Sequence, residues 1–260
     1  VSAPTQAFDG LAREYDDRFS DTAVGRALRR RVWDRLEPLV TTGSTVLDLG
    51  CGSGEDTAHL AGLGARIVAV DASPRMVGVA RAKLAEWPDR ACVLEADIEQ
   101  LDRHPECDGP FDLVLSNLGA LNCVGDLASV LEAIRDRLHG GGALVACLMG
   151  PTVPWEWLWM VAHGRPAEAV RRWRRGGVRW RGVTVHYPSI RRFRRLAPSG
   201  LEVRRISGLG FVLPPTYAAR RVNRWPVVVR TLDALERAVE RVPPMPRIAD
   251  HYVVELERTP

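Results

Sequence analysis

Hydrophobic positions change rhythm twice along these 260 residues. Phe8, Leu11, Tyr15 and Phe19 recur every three or four positions, the spacing of an amphipathic N-terminal helix or helix pair. Ala27 to Val40 continues in that style, with Leu28, Val32, Leu36 and Leu39 on one face, and Thr41-Thr42-Gly43-Ser44 breaks it as a loop. From Thr45 short apolar runs alternate with helical spacing. The runs are Thr45 to Leu49, Arg66 to Asp71, Ala91 to Glu95, Phe111 to Ser116 and Ala143 to Met149. Between them lie a short helix from Asp56 to Leu63, a helix from Ser73-Pro74 through Met76, Val79, Ala80 and Leu84, and a helix from Leu127 to Leu138 closed by Gly140-Gly141-Gly142. Apolar strands separated by helices predict a parallel sheet buried on both faces.

After Met149 the rhythm breaks. Pro151 and Pro154 precede Trp155, Trp157, Leu158 and Trp159, and a basic helix is expected from Ala167 to Arg175. Residues 151–187 therefore read as an insertion after the fifth strand. Ser189 to Leu196 predicts a helix, Leu201 to Ser207 a strand and Pro214-Pro215 a turn. Pro226 to Val242 has Val229, Leu232, Leu235 or Glu236, Val239 and Val242 at helical spacing, so residues 214–246 read as a second insertion. His251 to Leu256 predicts a last strand. The expected organisation is a single domain over 1–260. It has a helical lid over 1–43, a core over 44–150 and two insertions that cover a substrate.

Composition adds bounds. A hydrophobic content of 46% can build a full core, and no apolar run reaches the roughly 18 residues of a membrane span. The polar, mixed-charge stretch from Val1 to Tyr15 does not read as a signal peptide. Cys51, Cys92, Cys107, Cys123 and Cys147 show no metal-ligand spacing, so reduced thiols in a cytoplasmic protein and no metal site are expected. Residues 1–150 carry a net charge of −8 and residues 151–260 one of +12. Lys83 is the one lysine among 36 basic residues. This bias fits a GC-rich genome, so arginine number alone carries no argument.

Candidate chemistry gathers at the ends of the first four strands. Asp48 precedes a turn made by Gly50, Cys51, Gly52 and Gly54; glycines let the backbone turn sharply and a ligand approach it. Asp71, at the end of the second strand, suits the two hydroxyls of a ribose. Asp97 and Ile98 follow the third strand as an acceptor for an exocyclic amine beside an apolar wall. Ser116-Asn117-Leu118 leaves the fourth. A nicotinamide-dinucleotide turn would place another glycine where Glu55 or Asp56 stands. Asp48, Glu55 and Asp56 would also repel a pyrophosphate while favouring a cationic ligand.

Val46 to Gly54, Val70 to Met76, Ala96-Asp97-Ile98 and Phe111 to Ser116 together resemble the class I S-adenosylmethionine-dependent methyltransferases, in the UbiE-like or "type 11" branch that acts on small molecules. The match is good over roughly residues 8–150 and in outline beyond. The resemblance implies a doubly wound α/β fold with a seven-stranded sheet in the order 3-2-1-4-5-7-6, strand seven antiparallel. It also implies S-adenosyl-L-methionine as cofactor and S-adenosyl-L-homocysteine as product. The cofactor residues it implies are Tyr15, Asp48, Gly50, Cys51, Gly52, Gly54, Asp71, Ala72, Met76, Asp97, Ile98 and Ser116, with Tyr15-Asp16 on the lid over the methionine end.

Methyl transfer from a sulfonium is an in-line displacement, so positioning supplies much of the catalysis. A base is needed only where the acceptor must lose a proton. His163 and His186, in the covering segment, are the candidate bases, and Asn117 a candidate orienting group; His59, His104, Tyr187 and His251 stand behind them, His251 as structural. Ser116-Asn117-Leu118-Gly119 departs from the Asn/Asp-Pro-Pro-Tyr pattern of enzymes that methylate adenine or glutamine nitrogen.

Arg165 to Arg195 holds eleven arginines and one acid, Glu168. The arginines fit the solvated faces of amphipathic helices, or an anionic partner. Trp155, Trp157, Trp159, Met160, Trp173 and Trp180 suit a lid over an apolar or aromatic acceptor, a peripheral membrane contact, or simple packing of the lid. The leading expectation is methyl transfer to a small, hydrophobic or aromatic acceptor carrying an anionic group. An RNA methyltransferase, a non-catalytic S-adenosylmethionine-binding regulator and a nicotinamide oxidoreductase stand as alternatives, nucleic acid being disfavoured as partner.

Overall fold

A computed structural model describes residues 8–10, 12, 14–213 and 225–260. Leu11 and the Pro214-Pro215 turn lie outside the described residues, as do the rest of 214–224 and all of 1–7 from the expected second insertion and lid. A π-helical turn, Asp16–Ser20, leads into α1 (Ala23–Leu36), which Thr22 starts by accepting the N–H of Gly25 at 2.9 Å. The core follows as β1 (Thr45–Leu49), α2 (Glu55–Gly62), β2 (Arg66–Asp71), α3 (Pro74–Lys83), β3 (Ala91–Glu95), β4 (Phe111–Ser116), α4 (Leu127–Arg137) and β5 (Leu138–Met149). Then come α5 (Pro154–Ala162), α6 (Pro166–Ala169), β6 (Val178–Trp180), β7 (Val183–Val185) and α7 (Ile190–Leu196). The chain continues with β8 (Leu201–Leu209), α8 (Pro226–Val239), α9 (Met245–Ile248) and β9 (His251–Arg258).

The large sheet runs β3-β2-β1-β4-β5-β9-β8, and β9 is antiparallel to both neighbours. This is the expected order, with β8 and β9 as its sixth and seventh strands. Leu47 is central to it, in register with Val68 on one side and Val114 on the other. Alternate strand residues enter opposite cores. Val46 joins the layer under α1 and α2, while Leu47 and Leu49 join the layer under α4 and α7. All the parallel strands point the glycine turn and its counterparts to one edge, where an open α/β sheet places its ligand.

Three elements differ from expectation. β5 begins at Leu138, not Ala143, because Leu138 pairs with Phe111 before an irregularity that takes in the three glycines. The basic helix stops at Ala169; a 3₁₀ turn, Arg171–Trp173, follows, and then the β6–β7 hairpin. β-branched Val178, Val183 and Val185 favour strands, and Arg181 and Gly182 form a two-residue turn with φ of 49° and 93°. α8 ends at Val239, and Glu240 then receives ion pairs from Arg31 and from Arg35 (2.8 Å), tying this insertion to α1.

Candidate active site

The chain leaves β1 through three glycines with positive φ, at 77° (Gly50), 55° (Gly52) and 82° (Gly54). The amides of Gly50 and Cys51 both donate to the carbonyl of Val70, at 2.8 and 3.0 Å, which staples the turn to β2. The three positions serve different ends. A Cβ on Gly50 would lie 2.3 Å from that of Ala120, so close packing requires the glycine. A Cβ on Gly54 would meet Ala80 of α3 at 3.1 Å; this glycine seats a helix and does not line the cavity. A Cβ on Gly52 would meet nothing within 4 Å among the described residues, because Gly52 faces the open cavity.

That cavity has a volume of about 780 Å³. Asp71 lies in its wall. One carboxylate oxygen accepts the N–H of Gly52 and the other that of Ser73, each at 2.9 Å. Each oxygen retains a further acceptor site, which suits a pair of vicinal hydroxyls. Burial pushes the Asp71 pKa up, and the two amides oppose this. Ala72, Met76, Asp97 and Ile98 line the same region, as expected. The Asp97 carboxylate also caps the following 3₁₀ helix through the N–H of Glu99 at 3.0 Å.

The other expected acids do not present bare charge. Asp48 is buried beneath the turn, accepts the Thr57 hydroxyl at 2.7 Å and is absent from the cavity wall. Burial and neighbouring Asp56 push its pKa up to about 7. Asp56 is held by Arg29 at 2.5 Å, the Trp33 indole at 2.7 Å and the Asn117 amide at 3.0 Å. Glu55 is paired with Lys83. Asp71 and Asp97 are thus the acids of this group that line the cavity without a cation paired to them among the described residues.

The N-terminal segment closes one side. Tyr15 and Phe19 line the cavity, and burial raises the Tyr15 pKa. Asp16 does not point inward; it accepts from Ser53 at 2.6 Å and from Lys83 at 2.7 Å. Asp9 accepts from the Ser73 hydroxyl at 2.6 Å, and the ring of Phe8 lies 5.5 Å from that of Trp180 in the hairpin. The cover is therefore fastened to the loops after β1 and β2.

Across β4, the wall near β5 and β9 is charged. Glu156, 4% exposed, pairs with Arg171 at 2.5 Å and Arg172 at 2.7 Å. Arg172 also donates to Asp250 at 2.7 Å and to the Gly150 carbonyl at 3.1 Å, and lies over the Tyr187 ring. Asp250 is 3.2 Å from Nδ1 of His251, a buried ring nitrogen with no hydrogen-bond partner of good geometry among the described residues. Burial would raise the Asp250 pKa, but His251 and Arg172 hold it well below the usual carboxylate range. Glu156, Arg171, Arg172, Tyr187, Asp250 and His251 all line the cavity.

Several sequence candidates move out of the site. His163 is exposed, its Nδ1 bonded to the Trp159 carbonyl at 2.8 Å on the far turn of α5. His186 lies outside the wall, because its backbone is tied to Asn122. Ser116 is fully buried beneath the strand end and does not line the cavity. Asn117 does line it, but both polar atoms are engaged: Nδ2 with Asp56 and Oδ1 with the N–H of Leu118 at 2.8 Å. It holds Leu118 at φ 50°, a positioning role. Arg171 and Arg172 are not solvated, contrary to expectation, whereas the arginines of α7 are exposed around buried Phe193.

The residues that sequence reasoning missed are Glu156, Arg172, Asp250 and Asn122. Glu156 had a signal: it is the one acid from Gly150 to Ala167, inside an apolar run that can bury it only with a cation. Asn122 had none. It is fully buried and joins the Met149 backbone (3.0 and 2.9 Å) to the His186 carbonyl (2.6 Å).

Residues 46–142 match the family model of a methyltransferase domain. The chain is 33% identical over 147 residues to a demethylmenaquinone methyltransferase of Clavibacter sepedonicus, covering 56% of this chain and 58% of that one. It is 34% identical over 148 residues to a malonyl-(acyl-carrier protein) O-methyltransferase of Halorhodospira halophila, covering 56% and 48%. The chain thus spans about half the length of the curated relatives it matches. Among solved structures, the geranyl diphosphate C-methyltransferase of Streptomyces coelicolor A3(2), bound to S-adenosyl-L-homocysteine, superposes with a TM-score of 0.59. At 15% identity over 89% of this chain and 78% of that one, the likeness is one of fold.

Proposed function

Because residues 46–142 match the model of a methyltransferase domain, we propose that the chain is a class I S-adenosylmethionine-dependent methyltransferase that transfers a methyl group to a small acceptor with an apolar body and a polar, ionisable group. One observation carries this reading. A single cavity joins the glycine turn and Asp71 to the charged wall of Glu156, Arg172, Asp250 and His251.

The residues fit the cofactor. Gly52 leaves open space over the turn, Asp71 offers two acceptors to a diol, and Ile98 and Met76 supply apolar wall beside Asp97. When bound, S-adenosylmethionine supplies an activated methyl group on a sulfonium. The protein's part is to hold the acceptor in line, keep water out and, for a hydroxyl acceptor, take its proton. Burial holds the phenols of Tyr15 and Tyr187 protonated, and pushes the Cys123 thiol up to about 11, so none is a ready base at neutral pH. Asp56 and Glu156 are committed to arginines. His251 is the one imidazole lining the cavity among the described residues. We assign it the proton, with Asp250 stabilising the imidazolium that forms. His251 thereby replaces His163 and His186 as the candidate base.

Calorimetric titration with S-adenosylhomocysteine and with NADH tests the cofactor half. Binding of the first alone is expected, and binding of NADH alone sinks the reading. Incubation with labelled S-adenosylmethionine and a panel of hydroxylated aromatic acids tests the acceptor half. His251→Asn is expected to cut turnover about a hundredfold while leaving S-adenosylhomocysteine affinity in place.

A further inference from the structure

α5 is inside out. Its buried side carries Glu156 and Met160, while Trp155, Leu158, Trp159 and Val161 are 55%, 65%, 39% and 59% exposed. An amphipathic helix on a water-facing surface has the opposite arrangement. The reversal follows from the ion pairs of Glu156, which draw the acid inward to Arg171 and Arg172 and turn the tryptophans out. Val170 and Trp173 extend the apolar surface at 45% and 54% exposed, and Trp173 meets Trp157 of α5 edge to face at 5.1 Å.

The surroundings of this face are cationic. Arg174, Arg175, Arg179 and Arg181 are exposed immediately after Trp173 and around Trp180, and no acid occurs from Ala169 to Leu201. Glu168, beside the face, is paired with Arg165 and Arg171. Aromatic and aliphatic side chains beside an excess of arginines complement one surface above others: anionic lipid headgroups over acyl chains. RNA would use the arginines and tryptophans but would gain nothing from exposed Leu158 and Val161. We infer that the face of α5, with the Trp173–Arg181 segment, seats the protein on an anionic membrane surface. Trp155, which also lines the cavity, puts that surface beside the cavity wall. An apolar acceptor would then enter from the lipid side; this last point rests on the proposed methyl transfer, the seating itself does not.

Sedimentation of the full chain with vesicles tests the seating without any turnover. Binding is expected to vesicles of phosphatidylglycerol and phosphatidylcholine, with release at high salt and none to phosphatidylcholine alone. Leu158→Glu combined with Val161→Glu should weaken vesicle binding about tenfold or more while S-adenosylhomocysteine affinity, measured by calorimetry, stays unchanged. Arg174→Glu with Arg175→Glu lies in an exposed loop and should do the same if the first pair disturbs folding. Failure to sediment with anionic vesicles overturns the proposal. So does vesicle binding that both variant pairs leave intact, RNA retardation without vesicle binding, or a dimer by light scattering that Leu158→Glu dissociates.

Discussion

Gly52 donates its backbone N–H to the carboxylate of Asp71 across 2.9 Å, so the acid that ends β2 also shapes the turn that ends β1. Asp71→Ala should therefore lower S-adenosylhomocysteine affinity about tenfold or more, by losing charge-assisted bonds and loosening the turn. Calorimetry measures this, and Asp71→Asn, which keeps one acceptor oxygen, should fall between. Burial raises the Asp71 pKa, so the carboxylate takes up its proton at a higher pH than an ordinary aspartate. Wild-type affinity should begin to fall above the usual carboxylate range as pH decreases, and Asp71→Asn should lose that dependence.

Gly50 and Gly52 separate packing from binding. Gly50→Ala forces a Cβ to 2.3 Å from Ala120 and holds it at φ 77°, so a drop of about 2 kcal/mol or more in unfolding free energy is expected. Gly52→Ala meets no protein atom within 4 Å and should cost about 1 kcal/mol for its backbone alone. Its Cβ enters the cavity, so ligand affinity should fall further than stability. Denaturant melts paired with calorimetry on both variants check the contrast.

Asp48 reads out in stability rather than affinity. Its folded pKa, about 7, lies above that of an unfolded aspartate. Between those two values the folded chain binds more protons, so this group lowers stability as pH rises through the window, and the loss persists above it. Asp48→Asn can still accept from Thr57 and removes the buried charge. It should raise stability at pH 8 by an amount on the order of a few kcal/mol and flatten the pH dependence of the melting temperature.

Arg172 is the shared cation of Glu156 and Asp250. Arg172→Met leaves Glu156 with Arg171 alone and Asp250 with His251 alone, and should cost about 3 kcal/mol at neutral pH. Asp250 has a depressed folded pKa, so its contribution is complete above the ordinary carboxylate range and is lost as pH falls toward the folded value. The gap between wild type and variant in urea melts should accordingly narrow in acid.

The sheet was legible because each strand was a short apolar run bounded by glycine, proline or a helical pattern. The order of β8 and β9 came from family resemblance, since antiparallel insertion leaves no mark on local periodicity. The cofactor side was legible for the same reason that Asp71 and Gly52 meet: both sit at fixed offsets from strand ends. The charged wall was not. Glu156, Arg172 and Asp250 lie 16 and 78 residues apart, and Arg172 sits in a 3₁₀ turn where the spacing predicts one continuous basic helix from Ala167 to Arg175. His163 and His186 were judged by their segment, whereas the turn of α5 and the backbone tie to Asn122 keep both side chains off the cavity wall.

β9 joins β5 to β8, and among the described residues β8 has no other partner in the sheet. On a ribosome, β8 is therefore made before the strand that will hold it. It must wait through α8 and α9 with both edges unpaired, and Asp250 and His251 arrive with the strand that ends the wait. The sheet and the charged wall of the cavity are completed in one late event of synthesis, so a nascent chain stalled before Asp250 would hold the glycine turn and Glu156 with its arginines but lack the Asp250–His251 part of the wall.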